Sequence, residues 1–290
     1  MDELQLSIDI EARLVARNPR QMQRARAALE PGYCLRAARL LERPGGPILI
    51  GTGFPVAGTF ETDGPVGAIA LYRGLARLGA EPWLACAAPL AGALGGDFRL
   101  LELPLAPGRE SEQLADDWLA RHRPASVLSI ERPGVTADGH YYNMRGEDIT
   151  ARCGVFDPFL DRANCPTIAI GDGGNEIGMG KIAAALSGLD IRTSVTSCDE
   201  LVVADVSNWG AYGLLALLGY RAGRDLLADC APRSLLQYLS DRGSVDGVTR
   251  ENTLTEDGLP LSEGEALIDD LRRMTGFPTG PAAGAGGNGS

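Results

Sequence analysis

The stretch PTIAIGDGGNEIGMGKIAAAL, residues 166–186, carries the pattern that predicts the fold. It begins with a short, continuously apolar run and passes into a loop with five glycines between Gly171 and Gly180. It ends in an alanine-rich run of helical composition. A buried strand that leads through a glycine-rich turn into a helix is typical of a parallel sheet covered on both faces. The stretch therefore predicts one strand–loop–helix unit of an α/β protein.

The same alternation extends over most of the chain. Apolar runs predict further strands, and apolar residues at helical spacing predict helices between them. The predicted strands cover residues 47–51, 82–87, 125–131, 166–171 and 199–205, and the predicted helices cover residues 66–79, 111–122, 181–186, 211–220 and 262–276. This order predicts a three-layer, Rossmann-like α/β fold, in which helices cover both faces of a mostly parallel sheet.

Composition divides the chain of 290 residues into three parts. Residues 1–46 have a helical pattern and are expected to pack on the main domain as an N-terminal segment. Residues 47–278 carry the strand–helix alternation and are predicted to form the α/β domain. Residues 279–290 have the low-complexity sequence TGPAAGAGGNGS and are predicted to be disordered.

Charge and cysteine content exclude several classes of function. The formal net charge of −11 argues against a nucleic-acid-binding protein, which would present a basic face. The six cysteines are scattered without metal-ligand spacing, which predicts reduced thiols in the cytoplasm. No secretory leader is recognisable, and the apolar runs are too short to cross a bilayer. The sequence does not determine whether the chain forms a homo-oligomer.

The glycine-rich loops lack the two common nucleotide motifs. The dinucleotide motif G-x-G-x-x-G fails twice, because Val56 and Glu176 replace the third glycine. The phosphate-binding motif G-x-x-x-x-G-K-[ST] fails around Lys181, since Asn175 replaces the first glycine and Ile182 replaces the hydroxyl residue. The sequence thus has no motif for NAD or ATP.

Polar loops follow the predicted strands. Ligands of open α/β sheets bind beyond the carboxyl ends of the strands, and these loops combine glycine with acidic, amide and aromatic residues. That mixture indicates a site, although a structured loop with exposed polar groups is the alternative. The candidate substrate-binding residues are Thr52, Gly53, Phe54, Glu61, Thr62, Arg132, Asp138, Tyr141, Asn143, Arg145, Gly173, Gly174, Asn175, Ser207, Asn208 and Trp209.

The loop of residues 171–176 offers both backbone donors and carboxylates. Consecutive glycines can turn N–H groups toward an anion, and the N-terminus of the predicted helix adds a partial positive charge. Asp172 and Glu176 lie four positions apart and could bind Mg²⁺ or Mn²⁺ through their oxygens, although no cofactor follows from the sequence with certainty. The alternative is structural: Asp172 or Asn175 caps the helix, and the glycines allow close packing.

Five blocks of sequence resemble the D-glutamate cyclase-like C-terminal domain family. They occur in the order of the family and cover about residues 48–260. The blocks are TGFPVAGTFETDGPVGAIAL, SIERPGVTADGHYYNMRG, IAIGDGGNEIGMGK, CDELVVADVSNWGAYGL and VDGVTRENTLTEDGLP. The resemblance implies a hydro-lyase that converts D-glutamate, or a related acidic amino acid, to 5-oxo-D-proline and water.

This reaction sets the roles that the candidate residues would play. The α-amine needs a base, and the γ-carboxylate needs an acid or a cation before it can lose water. Asp172 or Glu176 could serve as base or metal ligand, and Lys181 or a bound cation could polarise the γ-carboxylate. The candidate catalytic residues are Asp172, Glu176, Lys181, Glu131 and Asp63.

The α-carboxylate of the substrate needs an anion site that holds the bent conformer. Arg145 and the N–H groups of Gly173 and Gly174 are the candidates. Two other functions stay open: a non-catalytic protein that binds a small carboxylate metabolite, and an enzyme that acts on a phosphorylated substrate. The failed nucleotide motifs disfavour the second. Clustered carboxylates favour catalysis over simple binding of an anion, because they would repel it without a chemical purpose or a metal.

Overall fold

The computed structural model describes residues 2–42 and 45–278. Its strands are β1 (Ile48–Thr52), β2 (Pro55–Val56), β3 (Thr59–Phe60), β4 (Pro82–Ala87), β5 (Leu100–Leu103), β6 (Ser126–Ile130), β7 (Thr167–Gly171), β8 (Glu200–Val203), β9 (Thr255–Glu256) and β10 (Leu259–Pro260). Its α-helices are α1 (Glu3–Leu14), α2 (Met22–Ala27), α3 (Tyr33–Leu41), α4 (Pro65–Arg77), α5 (Leu90–Leu94), α6 (Arg109–His122), α7 (Asp157–Asp161), α8 (Ala183–Leu186), α9 (Ser207–Ala222), α10 (Pro232–Ser240) and α11 (Leu261–Met274).

The main sheet has six strands in the order β5-β4-β1-β6-β7-β8, and every neighbouring pair is parallel. The chain runs outward from β1 to β4 and β5, and then returns to build β6, β7 and β8 on the other side of β1. This reversal makes the carboxyl edge of β1 and β6 a topological switch point, the place where open α/β sheets bind ligands. The predicted Rossmann-like α/β fold is confirmed.

Helices cover both faces of the sheet. Ile130 and Ile170 point to one face of the sheet. There Ile130 packs against Gly67 of α4, and Ile170 packs against Gly210 of α9. Trp83 belongs to the opposite face, where its ring packs edge-on against Trp118 of α6 at 6.1 Å between centroids. The apolar runs of the sequence are therefore strands buried on both sides.

The N-terminal helices share the core of the sheet domain. Leu6, Ile10 and Leu14 on α1 are fully buried. A Cβ at Gly213 of α9 would lie 2.8 Å from Leu14 Cδ1, so the two helices meet closely. The boundaries at residues 46 and 278 stay a prediction, and the predicted disorder of residues 279–290 lies outside the described residues.

Several elements differ from the expectation. The helices α5, α7 and α10 and the short hairpins β2–β3 and β9–β10 were not predicted, and two further differences concern the main sheet and the glycine-rich loop. Strand β5 was not predicted, because its sequence LLEL is short and largely half-exposed at the edge of the sheet. The helix predicted after the glycine-rich loop is a 3₁₀ turn at Met179–Ile182, followed by only four residues of α8. The prediction of a helix N-terminus at this loop was wrong, because Gly174 and Gly178 adopt left-handed φ angles of +117° and +96°.

None of the helices within residues 2–42 and 45–278 has both the length and the apolar character that a membrane crossing needs. The other expectations from composition, namely a cytoplasmic location and no nucleic-acid partner, stay predictions. A homo-oligomer likewise stays open.

Candidate functional site

Three carboxylates from separate loops converge at the carboxyl edge of the sheet. Asp63 precedes α4, Glu131 follows β6, and Asp172 follows β7. One oxygen of each lies within 4.8 Å of an oxygen of the other two, and all three side chains are buried. We call these residues the acidic cluster. The topology of the sheet brings them together across more than 100 positions of sequence.

The backbone at Glu131 is left-handed, with a φ of +44°. Residues other than glycine rarely adopt this conformation, and it is typical of strained functional sites. Gly64 makes room for this carboxylate, because a Cβ at Gly64 would lie 2.6 Å from the Cβ of Glu131. Asp257, which also faces the site, has a φ of +57°. The fold thus holds two acidic side chains in place by unfavourable backbone geometry.

The N-terminus of α9 anchors the acidic cluster. The carboxylate of Asp63 accepts hydrogen bonds from the N–H groups of Ser207 at 2.9 Å, Asn208 at 2.7 Å and Gly64 at 2.8 Å. The hydroxyl of Ser207 donates to Glu131 Oε2 at 2.5 Å. Free N–H groups at a helix N-terminus favour a negative charge, so α9 orients two of the three carboxylates.

Arg20 supplies a positive charge to this buried acidic region. Its Nη1 lies 2.8 Å from Asp172 Oδ1, and its Nη2 pairs with Asp257. The side chain of Arg20 is 19% exposed and comes from the turn before α2. Asn18 and Gln21, which flank this turn, have left-handed φ angles of +57° and +61°. The N-terminal segment therefore contributes directly to the site.

Burial raises the pKa values of the acidic groups. Loss of hydration, together with the charge of Asp257, raises the pKa of Asp63 to about 7. Burial and the charge of Asp172 raise the pKa of Asp257 to about 8. The pKa values of Glu61, Glu131 and Asp172 lie well above their usual range for the same reason, although Arg20 opposes the shift at Asp172. The site can therefore hold and exchange protons near neutral pH.

A cavity of about 370 Å³ opens above these carboxylates. Its floor contains Glu61, Glu131, Asp172 and Asp257, and the hairpin β2–β3 forms part of one wall. Three arginines line the more exposed part, which we call the mouth: Arg145, Arg152 and Arg250. The volume suits a small metabolite. Buried carboxylates and Arg20 thus form the floor of the cavity, whereas three guanidinium groups and the carboxylate of Glu147 lie at its mouth.

A model of the family described as D-glutamate cyclase-like, C-terminal, matches residues 12–272. The chain belongs to this family. Human mitochondrial D-glutamate cyclase is 33% identical over 219 residues, which are 66% of this chain and 34% of the human protein. This member of the D-glutamate cyclase-like family therefore spans about a third of the length of that relative.

Two solved structures are similar at a lower level. RecJ from Thermus thermophilus, in complex with Mn²⁺, has a TM-score of 0.38 and 16% identity over 94% of this chain and 43% of RecJ. An exopolyphosphatase-related protein from Bacteroides fragilis has a TM-score of 0.40 and 10% identity over 87% of this chain and 62% of that protein. At these TM-scores the similarities support no inference about function.

Several predicted residues of this D-glutamate cyclase-like chain do come together. The predicted residues that line the cavity are Phe54, Glu61, Glu131, Asn143, Arg145, Asp172 and Asn175. Others lie behind the carboxylates as support. Asn208 accepts from the N–H groups of Gly64 and Gly67 and donates to Glu256 at 2.8 Å, so its side chain is fully engaged. Thr62 donates to the carbonyl of Thr255, and Trp209 is buried.

Other predicted residues do not face the cavity. Lys181 donates from Nζ to the carbonyl oxygens of Asp199 at 2.6 Å and Cys198 at 3.2 Å. Arg132 is buried and donates to the carbonyl oxygens of Thr52, Gly53 and Gly154. Both cations therefore hold backbone segments in place.

Tyr141 and Asp138 also form hydrogen bonds within the protein, to α7 and to their own loop. The hydroxyl of Tyr141 is buried and donates to Asp157 at 2.7 Å, whereas Asp138 is exposed and accepts from Thr136 and Tyr142. These contacts stabilise the loop that ends at Asn143, a cavity residue.

The glycine-rich loop binds its own carboxylate. The N–H group of Gly174 donates to Glu176 Oε2 at 2.7 Å, and the N–H group of Gly173 also interacts with this side chain. These donors are therefore engaged inside the protein. Glu176 stands beside the acidic cluster, and Asp172 is grouped with Asp63 and Glu131 instead.

The donor set fits a divalent cation. The acidic cluster offers only oxygen atoms, which Mg²⁺ and Mn²⁺ prefer. Asp172 Oδ2 and Thr52 Oγ1 are buried and have no hydrogen-bond partner in the described part of the chain, apart from a proton that the carboxyl groups of Asp172 and Asp63 could share. Buried oxygens without a donor are unusual and would be satisfied by a cation. The cluster could therefore hold a metal ion.

Sequence reasoning missed five charged residues of the cavity: Arg20, Glu147, Arg152, Arg250 and Asp257. Arg20 belongs to the N-terminal segment and has no motif around it. Arg250 and Asp257 lie in the block VDGVTRENTLTEDGLP, from which no candidate was chosen. A search of that block for charged residues before glycine turns could have found Asp257.

We expect the folded protein to lose stability as the pH rises from 6 to 9. The raised pKa values mean that the folded state binds more protons than the unfolded chain between about pH 4 and pH 8, so unfolding releases protons and becomes easier at higher pH. Thermal unfolding at constant ionic strength should show a fall in Tm of about 5 °C or more. The variant Asp257→Asn should have a shallower slope, and a Tm that rises over this range would contradict the expectation.

Proposed function

We propose that this chain is a D-glutamate cyclase-like hydro-lyase, which converts D-glutamate, or a closely related acidic amino acid, to 5-oxo-D-proline and water. One observation carries the proposal: a single cavity has buried carboxylates at its floor and guanidinium groups at its mouth. An acidic amino acid is complementary to this pattern, because it carries one ammonium group and two carboxylates. Membership of the family and the name of the human relative support the same reaction.

The proton balance of the reaction suits the floor of the cavity. Cyclisation forms a bond between the amine nitrogen and the γ-carboxyl carbon and breaks one carbon–oxygen bond. The ammonium gives up two protons, the departing oxygen takes up two, and the net charge of the organic anion is unchanged. A site for this reaction must therefore accept protons and return them at neutral pH. Carboxyl groups with raised pKa values can do both.

Asp172 and Glu131 are placed to share this work. Both line the cavity, and one buried oxygen of Asp172 has no hydrogen-bond partner in the described residues other than a proton that it could share with Asp63. We assign to Asp172 the removal of protons from the amine and to Glu131 the protonation of the departing oxygen. Asp63 and Ser207 hold Glu131 and the N-terminus of α9 in position. A divalent cation bound by the acidic cluster would polarise the γ-carboxylate as a Lewis acid.

Incubation of the purified protein with a panel of substrates tests the proposal. The panel contains D- and L-glutamate, D-aspartate, D-glutamine and a phosphorylated amino acid, each with and without Mn²⁺ or Mg²⁺. Mass detection should show loss of one water from D-glutamate, at a rate above that of a heat-inactivated sample. Thermal stabilisation by D-glutamate without turnover would instead support a non-catalytic carboxylate-binding protein. Turnover of the phosphorylated compound alone would contradict the proposal.

A further inference from the structure

The three arginines of the mouth differ in how their guanidinium groups are engaged. Arg145 donates from Nη2 to the carbonyl oxygen of Val248 at 2.8 Å. Arg250 donates from Nη2 to Glu147 at 2.7 Å, but its Nε is buried and has no acceptor among the described residues. Arg152 has no side-chain hydrogen bond or ion pair to any described residue, although it lines the cavity. Arg152 is therefore the arginine of the mouth whose whole guanidinium group has no partner among the described residues.

The geometry of cyclisation decides which part of the substrate reaches Arg152. The amine nitrogen and the γ-carboxyl carbon must meet, and both need the carboxylates of the floor for proton transfer. The α-carboxylate takes no part in the new ring. It projects from the ring as a substituent and can point away from the floor. Within this cavity, the direction away from Glu131 and Asp172 leads to the mouth.

We propose that Arg152 binds the α-carboxylate that stays outside the ring. This inference rests on the proposed cyclase reaction. It replaces the expectation that Arg145, Gly173 and Gly174 form the anion site, because both glycine N–H groups interact with Glu176 and the Nη2 of Arg145 is bound to Val248. Arg145 instead ties its loop to Val248 at the opposite side of the mouth.

An anion site at this position has a distinctive kinetic consequence. The α-carboxylate is the same chemical group in D-glutamate, in the transition state and in 5-oxo-D-proline. A side chain that contacts only this group stabilises all three equally, so its loss affects binding and leaves the chemical step nearly unchanged. Arg152 is thus a specificity-determining residue, whereas Asp172 and Glu131 act on the reacting atoms.

Replacement of Arg152 by methionine tests the inference. We expect Arg152→Met to raise the KM for D-glutamate by about 10- to 100-fold, while kcat changes by less than about threefold. The Kd of 5-oxo-D-proline should rise by the same factor. The Kd of 2-pyrrolidinone, which has the ring without the carboxylate, should not change. Arg152→Lys should restore part of the affinity, because it keeps a positive charge.

Arg121→Met is the matched control, because Arg121 is an exposed arginine near the end of α6 that does not line the cavity. It should leave every parameter unchanged. A fall in kcat without a change in KM, or an equal loss of 2-pyrrolidinone affinity, would overturn the assignment of Arg152. If the wild-type protein binds 5-oxo-D-proline but does not turn over D-glutamate, the cyclase proposal fails, and the Kd comparison still decides the role of Arg152. If the wild-type protein does not bind 5-oxo-D-proline, the anion site is refuted.

Discussion

Asp172→Asn is expected to lower kcat for D-glutamate by about 10³-fold, the middle of the range of about 10²- to 10⁴-fold for loss of a general base. The amide keeps the shape of the side chain but cannot accept a proton from the amine. KM should change little, because the proposed anion site at Arg152 is untouched. The fold should persist, since the substitution removes a buried charge and leaves Arg20 paired with Asp257. Steady-state kinetics with mass detection of 5-oxo-D-proline measures the effect.

The same variant also tests metal binding. Asp172 contributes one of the three carboxylates of the acidic cluster, so Mn²⁺ should bind more weakly to Asp172→Asn in a calorimetric titration. Asp225→Asn is the control, because Asp225 is a half-buried carboxylate in a pair with Arg272 that does not line the cavity. It should retain wild-type turnover. Near-normal turnover by Asp172→Asn would refute its role as the base.

Arg20→Met should produce the largest loss of stability, about 3–5 kcal/mol at pH 8, as expected when one partner of a buried ion pair is removed. Asp172 and Asp257 then share a buried region without their counter-charge. Part of the loss should disappear at pH 5.5, because the two carboxyl groups can take up protons. Chemical denaturation at the two pH values measures the change in the free energy of unfolding.

Arg17→Met is the matched control for this prediction. Arg17 lies three positions before Arg20, but its guanidinium makes a more exposed ion pair with Glu263, and Arg17 is 42% exposed. Such a pair contributes about 0–1 kcal/mol. The double variant Arg20→Met with Asp257→Asn should recover part of the lost stability, because one of the two unpaired charges is removed. Equal losses in Arg17→Met and Arg20→Met would show that the buried pair has no special role.

The sequence predicted the layers of the fold because the main strands are continuously apolar. A continuously apolar run indicates a buried strand even when the neighbouring strands are unknown. The predicted ends of β1, β4, β6, β7 and β8 therefore lie within a few residues of the observed ones. Strand β5 has no such signal, because an edge strand with half-exposed residues does not need an apolar run. The strand order followed only from the structure, since short apolar runs do not specify their partners.

The site was predicted in part. Asp63, Glu131 and Asp172 follow or precede elements of the sheet, so the rule for carboxyl ends located them. Arg20 could not be found in this way, because only the packing of the N-terminal segment brings it within 2.8 Å of Asp172. The prediction for Lys181 failed in the opposite way, because this residue was expected in the site and does not line the cavity. It is close to Asp172 in sequence, but its side chain turns to the carbonyl oxygens of Cys198 and Asp199.

The left-handed backbone at Glu131 has a consequence for protein engineering. Glycine adopts this conformation without steric strain, and it would also remove a buried carboxyl group. A library of variants selected only for heat resistance should therefore enrich glycine at position 131, and the enriched variants would lack the carboxylate that faces the cavity. Directed evolution of this scaffold thus needs a chemical screen alongside the thermal one, because robustness and reactivity make opposite demands on this position.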